Sequence, residues 1–349
     1  MFQDLAITEL VKSNKFKKIT WIDVRSPAEF KEATIPNAKN IPVFTDDERA
    51  EIGTIYKKVS VEAAKEKGLE VFSAKLPAFI KAVNELEGEK VVFCWRGGMR
   101  SKTAATVVDL MGIPISRLEG GIRSYREFIT EQLKSMAYEP EAFVLNGYTG
   151  SGKTKILRNL QNDGYPVLNL EKMANHRGSI FGQIGLEPNN QRTFEALLFN
   201  GLHETQDAPY VLFEAESQRI GKVLLPQPFL EKKENGTQIF LTIPIEERVK
   251  TILEDYHPTE HKEECIAAFQ KIKRRIHTPI ATEIEKHIVA GEFSQAVHLL
   301  FEYYYDPLYQ YSAEQYAPEK TIHIEACNVV EATEKIRAFL HNPSKNLEN

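Results

Sequence analysis

Cysteine is scarce in this chain: three stand among 349 residues, at 94, 265 and 327, and none belongs to a CxxC pair. An odd number at wide spacing excludes a disulfide framework and argues against a zinc site. No stretch approaches the ~18 to 20 consecutive apolar residues that a membrane span needs. A basic surplus is missing too. Lys and Arg number 44 against 49 Asp and Glu, for a net charge of -5. That balance argues against coating nucleic acid by bulk electrostatics, although a local basic groove stays open. Residues Met1 to Leu10 mix Asp4 and Glu9 among apolar side chains and lack a basic region followed by an apolar core. They do not read as a secretion signal, and a cytoplasmic location is expected. The remaining composition, 42% apolar and 27% charged, is that of a globular chain long enough for two or three domains.

Only Cys94 has an activating neighbourhood. The stretch Cys94-Trp95-Arg96-Gly97-Gly98-Met99-Arg100-Ser101 follows the apolar run Val91-Val92-Phe93. This is a thiol at a strand end, then a glycine-bearing loop, then a helix-forming segment. Loop amides, the helix N-terminus and the guanidinium groups of Arg96 and Arg100 all favour negative charge at sulfur, so a thiol ionised near neutral pH is expected. Such a thiolate suits two chemistries. It can carry a sulfur-family atom as a persulfide, or attack a phosphate in the Cys-x5-Arg manner of cysteine phosphatases. Cys265, on a helical segment, and Cys327, at a strand end, read as inert.

Around the thiol, strands alternate with helices. Ile19 to Val24 and Lys90 to Phe93 read as buried strands, and Ile115 to Leu118 as a short one. Helices are expected from Ser26-Pro27, over Glu62 to Lys67, across Pro77 to Leu86, and from about Ser101 to Met111. Ile35 to Pro42 is too rich in Pro and Asn for a regular element. The alternation implies a parallel sheet covered on both faces, ending near residue 135, with a linker at Met136 to Pro140.

A second domain opens with Glu141 to Asn146 and then Gly147-Tyr148-Thr149-Gly150-Ser151-Gly152-Lys153-Thr154. This is GxxxxGK[ST] between a strand and a helix, the setting of a phosphate-binding loop. Gly147, Gly150 and Gly152 let the amides, with that of Ser151, face phosphate oxygens; Lys153 neutralises them, and Thr154 Oγ is placed for Mg²⁺. The strand Tyr210 to Phe213 then ends in Glu214-Ala215-Glu216, where such loops usually have a metal-organising Asp. Between these lies His176-Arg177-Gly178-Ser179, a combination suited to phosphate, base or sugar. Past residue 245 the pattern is helical: Glu246 to Tyr256, Glu263 to Arg275, Thr282 to Val289 and Glu292 to Tyr304. Lys271, Lys273, Arg274 and Arg275 form the densest basic cluster; Lys12, Lys15, Lys17 and Lys18 form another. Phe301, Tyr303, Tyr304, Tyr305, Tyr309 and Tyr311 make an aromatic cluster that reads as core or interface.

Four blocks resemble the rhodanese domain: Asp23-Val24-Arg25-Ser26-Pro27 with Glu29-Phe30; Ile35-Pro36-Asn37-Ala38 with Asn40-Ile41-Pro42; the Cys94 loop; and Leu118-Glu119-Gly120-Gly121. Fused to a phosphate loop, with His176 to Ser179 and Phe213 to Ser217 as they stand, the chain resembles the bacterial tRNA 2-selenouridine synthase family. The implied fold is α/β: a rhodanese-like parallel-sheet domain over 1–135, then a P-loop NTPase-like α/β domain over 136–349 with a helical part at about 245–312. The resemblance implies conversion of 2-thiouridine at the tRNA wobble position to 2-selenouridine. Selenophosphate is the selenium donor, and the route runs through an S-geranyl intermediate made from geranyl diphosphate. No tightly bound cofactor is expected beyond a Mg²⁺ at Thr154. Lys271 to Arg275 is then a candidate dock for the anticodon arm. Two other readings stay open: a sulfurtransferase with a regulatory nucleotide module, and a P-loop kinase with a rhodanese appendage.

Overall fold

The computed structural model describes residues 1–13, 16–308 and 316–341. Lys15 of the basic cluster, Tyr309 and Tyr311 of the aromatic cluster, and the last residues of the expected helical part lie outside them. The chain divides into two compact units, Met1–Leu133 with Glu195–Leu197, and Lys134–Phe194 with Leu198–Asn349.

In the first unit the strands are β1 (Gln3–Leu5), β2 (Ile19–Asp23), β3 (Lys39–Asn40), β4 (Glu89–Phe93) and β5 (Ser116–Leu118). They pair in the order β1-β5-β4-β2-β3, every pair parallel. Parallel strands need crossovers, which five helices supply: α1 (Ile7–Lys12), α2 (Pro27–Glu32), α3 (Asp46–Lys58), α4 (Val61–Asn84) and α5 (Met99–Leu110); α6 (Gly121–Lys134) follows the last strand. Val92, Cys94, Phe72, Phe79, Val83, Ala104 and Ala105 belong to one core. The helices expected over Glu62 to Lys67 and across Pro77 to Leu86 are one helix, α4, with the proline inside it. An internal proline costs about 3 kcal/mol, but Phe72, Phe79 and Val83 are buried along this helix, the two rings edge to face at 5.2 Å. Packing on both sides of Pro77 carries the helix through it. A two-residue strand, β3, also forms within the segment read as irregular.

Asp23 and Arg25 do structural work. Both are buried, and Arg25 donates to both Asp23 carboxylate oxygens, at 3.0 and 2.6 Å, and to the Ala33 carbonyl at 2.6 Å. Thr34 Oγ1 donates to the same carboxylate, and Asn40 Nδ2 donates to the carbonyls of Asp23 and Arg25. Two of the four rhodanese-like blocks are therefore a buried polar clasp that fixes the end of β2 against 33–40.

The second unit continues with β6 (Glu141–Gly147), α7 (Lys153–Asn162), β7 (Val167–Leu168), α8 (Leu170–Ala174), α9 (Gln191–Thr205), β8 (Tyr210–Glu214), β9 (Arg219–Ile220), β10 (Val223–Leu224), α10 (Gln227–Asn235) and β11 (Thr237–Thr242). Helices α11 (Ile245–Tyr256), α12 (Lys262–Ile272), α13 (Thr278–Ala290) and α14 (Phe293–Leu300) follow, then β12 (Thr321–Glu325) and α15 (Val329–His341). The large sheet is parallel in the order β12-β11-β6-β8-β7, and β9 and β10 form a small antiparallel pair. Helices α11 to α14 build a separate apolar core around Phe269, Ile272, Ile284 and Leu300. Lys273–Arg275 is a 3₁₀ turn after α12, and Phe301–Tyr305 a wider π turn after α14. Residues 136–140, read as a linker, are anchored at Tyr138, whose buried hydroxyl lies 2.6 Å from Thr205 Oγ1.

Candidate functional site

Cys94 stands just past the end of β4, the middle strand of its sheet, and is buried. Its Sγ lies 3.2 Å from Ser101 Oγ. The loop turns at Gly97, φ 65°, and α5 starts at Met99, so the first amides of that helix point back towards the loop. Beneath it, the Ile122 amide donates to the Cys94 carbonyl at 2.9 Å and that of Arg123 to the Trp95 carbonyl at 3.1 Å. Gly121 is what permits this approach. A Cβ there would collide with the Cys94 carbonyl and stand 2.6 Å from the Gly97 amide nitrogen.

Of the two arginines of the loop, Arg100 departs from expectation. Arg96 is exposed, free to meet an anion. Arg100 is not aimed at sulfur: its guanidinium grips the Glu29 carboxylate at 2.5 and 3.1 Å. Burial raises the Glu29 pKa and Arg100 lowers it; the arginine prevails, and the carboxyl sits below its usual range. A fixed sequence spacing sets how far an arginine is from a cysteine along the chain, but not which carboxylate it meets in space. Arg117 braces the loop, donating to the Gly97 carbonyl at 2.6 Å while its other nitrogens hold the Asp4 carboxylate.

The phosphate loop follows β6, the middle strand of the second sheet. Gly147, Gly150 and Gly152 have φ of 145°, 81° and 75°, conformations reserved for glycine. Lys153 Nζ donates to the loop carbonyls of Gly147, at 2.8 Å, and Tyr148, at 3.3 Å, which holds it across the loop mouth. Ser151 is buried, with its hydroxyl donated to the Tyr148 carbonyl. The loop's back is fastened by Arg248, which donates to the Thr149 carbonyl and to both Asp306 oxygens and lies over the Phe301 and Tyr148 rings.

Thr154 Oγ1 donates to the carboxylate of Glu171. Glu171, in the first turn of α8, escaped the sequence reading, because the strand before it, Val167–Leu168, has only two residues. Glu214 is fully buried, and its Oε2 accepts the Leu170 amide at 2.9 Å. Burial, and then the Glu171 charge, push Glu214 well above the ordinary carboxyl range; Glu216 is pushed up to about 8 by the same causes. Burial raises Glu171 as well, against the pull of Thr154 and Lys153. Thr154 Oγ1 donates its proton to Glu171 and keeps its oxygen lone pairs, so the hydroxyl stays placed for a Mg²⁺ held together with ligand phosphates.

His176 to Ser179 is built into the wall of this site. Buried His176 packs against Gly182 and Gly221 and takes the Gly178 amide on Nδ1 at 3.2 Å; burial, then Arg177, lower its pKa, so it is neutral at pH 7. Arg177 is no free phosphate hand. It donates to the Ile184 and Asp255 carbonyls and lies 4.5 Å over the Tyr256 ring. Ser179 Oγ is 3.2 Å from Tyr256 Oη.

Beside these residues lies an apolar cleft with ≈ 550 Å³ of atom-free space, mouth included. Thr149 of the loop, Ser179 and Tyr256 stand at it, while Phe181, Ile252, Ile288, Phe293, Leu300 and Phe301 line its body. In the basic cluster, Lys273 is paired with Glu285 at 2.6 Å, while Lys271, Arg274 and Arg275 are exposed. Phe301 of the aromatic cluster is core and Tyr303 is exposed. Cys265 is buried at the cleft, its thiol pushed up to about 11 by burial, and Cys327 is exposed beyond β12.

Comparison with known proteins bears on both units. The rhodanese-like domain family matches residues 6–128, and the tRNA 2-selenouridine synthase AAA domain matches 140–278. The tRNA 2-selenouridine synthase of Nitrosomonas europaea is 32% identical over 291 residues, covering 81% of this chain and 73% of that one. Its namesake in Bdellovibrio bacteriovorus is 30% identical over 343 residues, covering 86% and 90%. That of Shewanella denitrificans is 32% identical over 329 residues, covering 84% and 88%.

Proposed function

Because the chain belongs to the tRNA 2-selenouridine synthase family, we propose that it replaces the sulfur of 2-thiouridine at the tRNA wobble position with selenium, by way of an S-geranyl intermediate. In the first step the base sulfur attacks the first carbon of geranyl diphosphate, and diphosphate departs. Amides of the 147–154 loop and Lys153 take up the charge that develops on the leaving group, the kind of preorganised stabilisation that lowers such barriers most. In the second, the selenium of selenophosphate, received at the Cys94 loop with Arg96 facing the anion, bonds to C2 as the geranyl thiolate leaves, and water then splits the Se–P bond to release phosphate. Lys271, Arg274 and Arg275 offer exposed charge for the anticodon arm.

The observation that carries this reading is the apolar cleft at Thr149. A phosphate loop alone needs only a diphosphate. What selects among diphosphates is the surface beside it, and here that surface is hydrocarbon and aromatic rather than a polar seat for a nucleobase. Calorimetry with geranyl diphosphate, inorganic diphosphate and ATP tests it. Geranyl diphosphate is expected to bind best, and Ala296→Leu, which narrows the cleft, to weaken it about tenfold, ~1.4 kcal/mol, with inorganic diphosphate unaffected. Tighter binding of ATP, indifferent to that change, would favour the regulatory-nucleotide or kinase reading.

A further inference from the structure

Three acids beside a loop that binds a polyanion are a liability unless they serve the reaction. Glu171 is held by Thr154, and Glu214 by the Leu170 amide. The other oxygen of Glu214, Oε1, is buried with no hydrogen-bond partner among the described residues. Glu216 hydrogen-bonds the Glu171 carboxyl and lies, like Glu171, beside the His176 to Ser179 segment. It follows the end of β8 by two residues, and its carboxylate lies against Gly178: a Cβ there would stand 2.6 and 2.8 Å from its two oxygens. The next residue, Ser179, lines the cleft. The polar cluster and the apolar cleft therefore meet at one short segment, Gly178-Ser179.

Resting on the prenyl-transfer reading, we propose that Glu216 is the general base that takes the N3 proton from 2-thiouridine as its sulfur is alkylated. The step balances. A sulfur lone pair forms the S–C bond to the prenyl carbon, and the C–O bond breaks with its pair leaving on diphosphate. The C2=S double bond becomes single, C2=N3 forms, and the N3–H proton passes to a Glu216 oxygen, so the base stays neutral.

Glu171 and Glu214 stabilise that proton once it arrives, since adjacent carboxylates resist ionising together. The groups that face Glu216 are Glu171 of α8 and Glu214 of β8, which disfavour its charge, and Lys153 of α7 and Lys233 of α10, which favour it. Burial and the acids prevail, raising its carboxyl to about 8. A base acts only when ionised, so the rate rises with pH through that region.

The test uses the full chain, geranyl diphosphate and an anticodon stem-loop carrying one 2-thiouridine, with single-turnover thioether formation followed from about pH 6 to 9. Glu216→Gln is expected to lower the rate at least about 100-fold and to abolish the rising limb. Its affinity for geranyl diphosphate, measured by calorimetry, should stay within about twofold of wild type, ~0.4 kcal/mol. Glu216→Asp should keep the limb at a reduced rate. Wild-type rates and pH profile in Glu216→Gln overturn the proposal; so does a loss of rate matched by a loss of affinity, which makes the residue structural. If the wild type forms no thioether at all, the prenyl-transfer reading falls and the base with it; an active wild type beside an indifferent Glu216→Gln removes the base alone.

Discussion

Gly121 ties a sequence block to the shape of a reactive loop. Its φ of 62° is open to glycine, and its missing side chain lets the α6 start lie on the backbone of Cys94, Arg96 and Gly97. Gly121→Ala is predicted to push that loop outwards. A displacement of ~1 Å at a reacting group costs about 100-fold in rate, so selenouridine formation should fall by that order while thioether formation stays at the wild-type level. Equal loss of both would mean that the residue serves folding rather than the loop, and nucleoside analysis of the product separates the outcomes. At this scale the sequence was legible where loop shape depends on neighbours in the chain: the positive φ of the loop glycines and the placing of Lys153 against the Gly147 and Tyr148 carbonyls. It was opaque where a partner comes from far away. Arg100 finds Glu29, 71 residues earlier, and Arg248 finds both the Thr149 carbonyl and Asp306.

Among the elements, α3 was missed although its start was written in the chain. Thr45 and Glu48 form a reciprocal capping box, with the Thr45 amide donating to Glu48 at 2.7 Å. The stretches read as helical over Glu62 to Lys67 and across Pro77 to Leu86 are joined in α4, because apolar packing along the helix outweighs the proline inside it. The segment at the carboxyl end of β8 carries a pH prediction. The Glu216 carboxyl, 4.5 when unperturbed, is raised to about 8 by burial and then by Glu171. Between those values the folded chain holds a proton that the unfolded chain has released. The contribution of this carboxyl to stability is therefore full below about pH 4.5 and declines as pH rises towards 8. Melting temperatures measured from about pH 5 to 8 should fall more steeply for the wild type than for Glu216→Gln, which cannot ionise. Parallel slopes would contradict the burial of this carboxylate.

On the scale of the whole molecule, two parallel sheets each place a glycine-bearing loop at the carboxyl end of a middle strand, from Cys94 just past β4 and from Gly147 at the end of β6. This is where open α/β sheets present their ligand sites. Alternating strands and helices made the α/β class readable in the chain, and the two loop motifs fixed which strands carry the loops. The hydrocarbon cleft was not readable, since its walls gather from residues 149 to 301 and onwards to Tyr305, on helices whose apolar faces look like ordinary core. The central claim is a division of labour, with selenium handled at Cys94 and diphosphate at the 147–154 loop. Mass spectrometry of nucleosides from 2-thiouridine tRNA, incubated with geranyl diphosphate and selenophosphate, tests it directly. Cys94→Ser should stop at S-geranyl-2-thiouridine, and Lys153→Ala should leave 2-thiouridine unchanged. Selenouridine formed at the wild-type rate by Cys94→Ser would contradict the account.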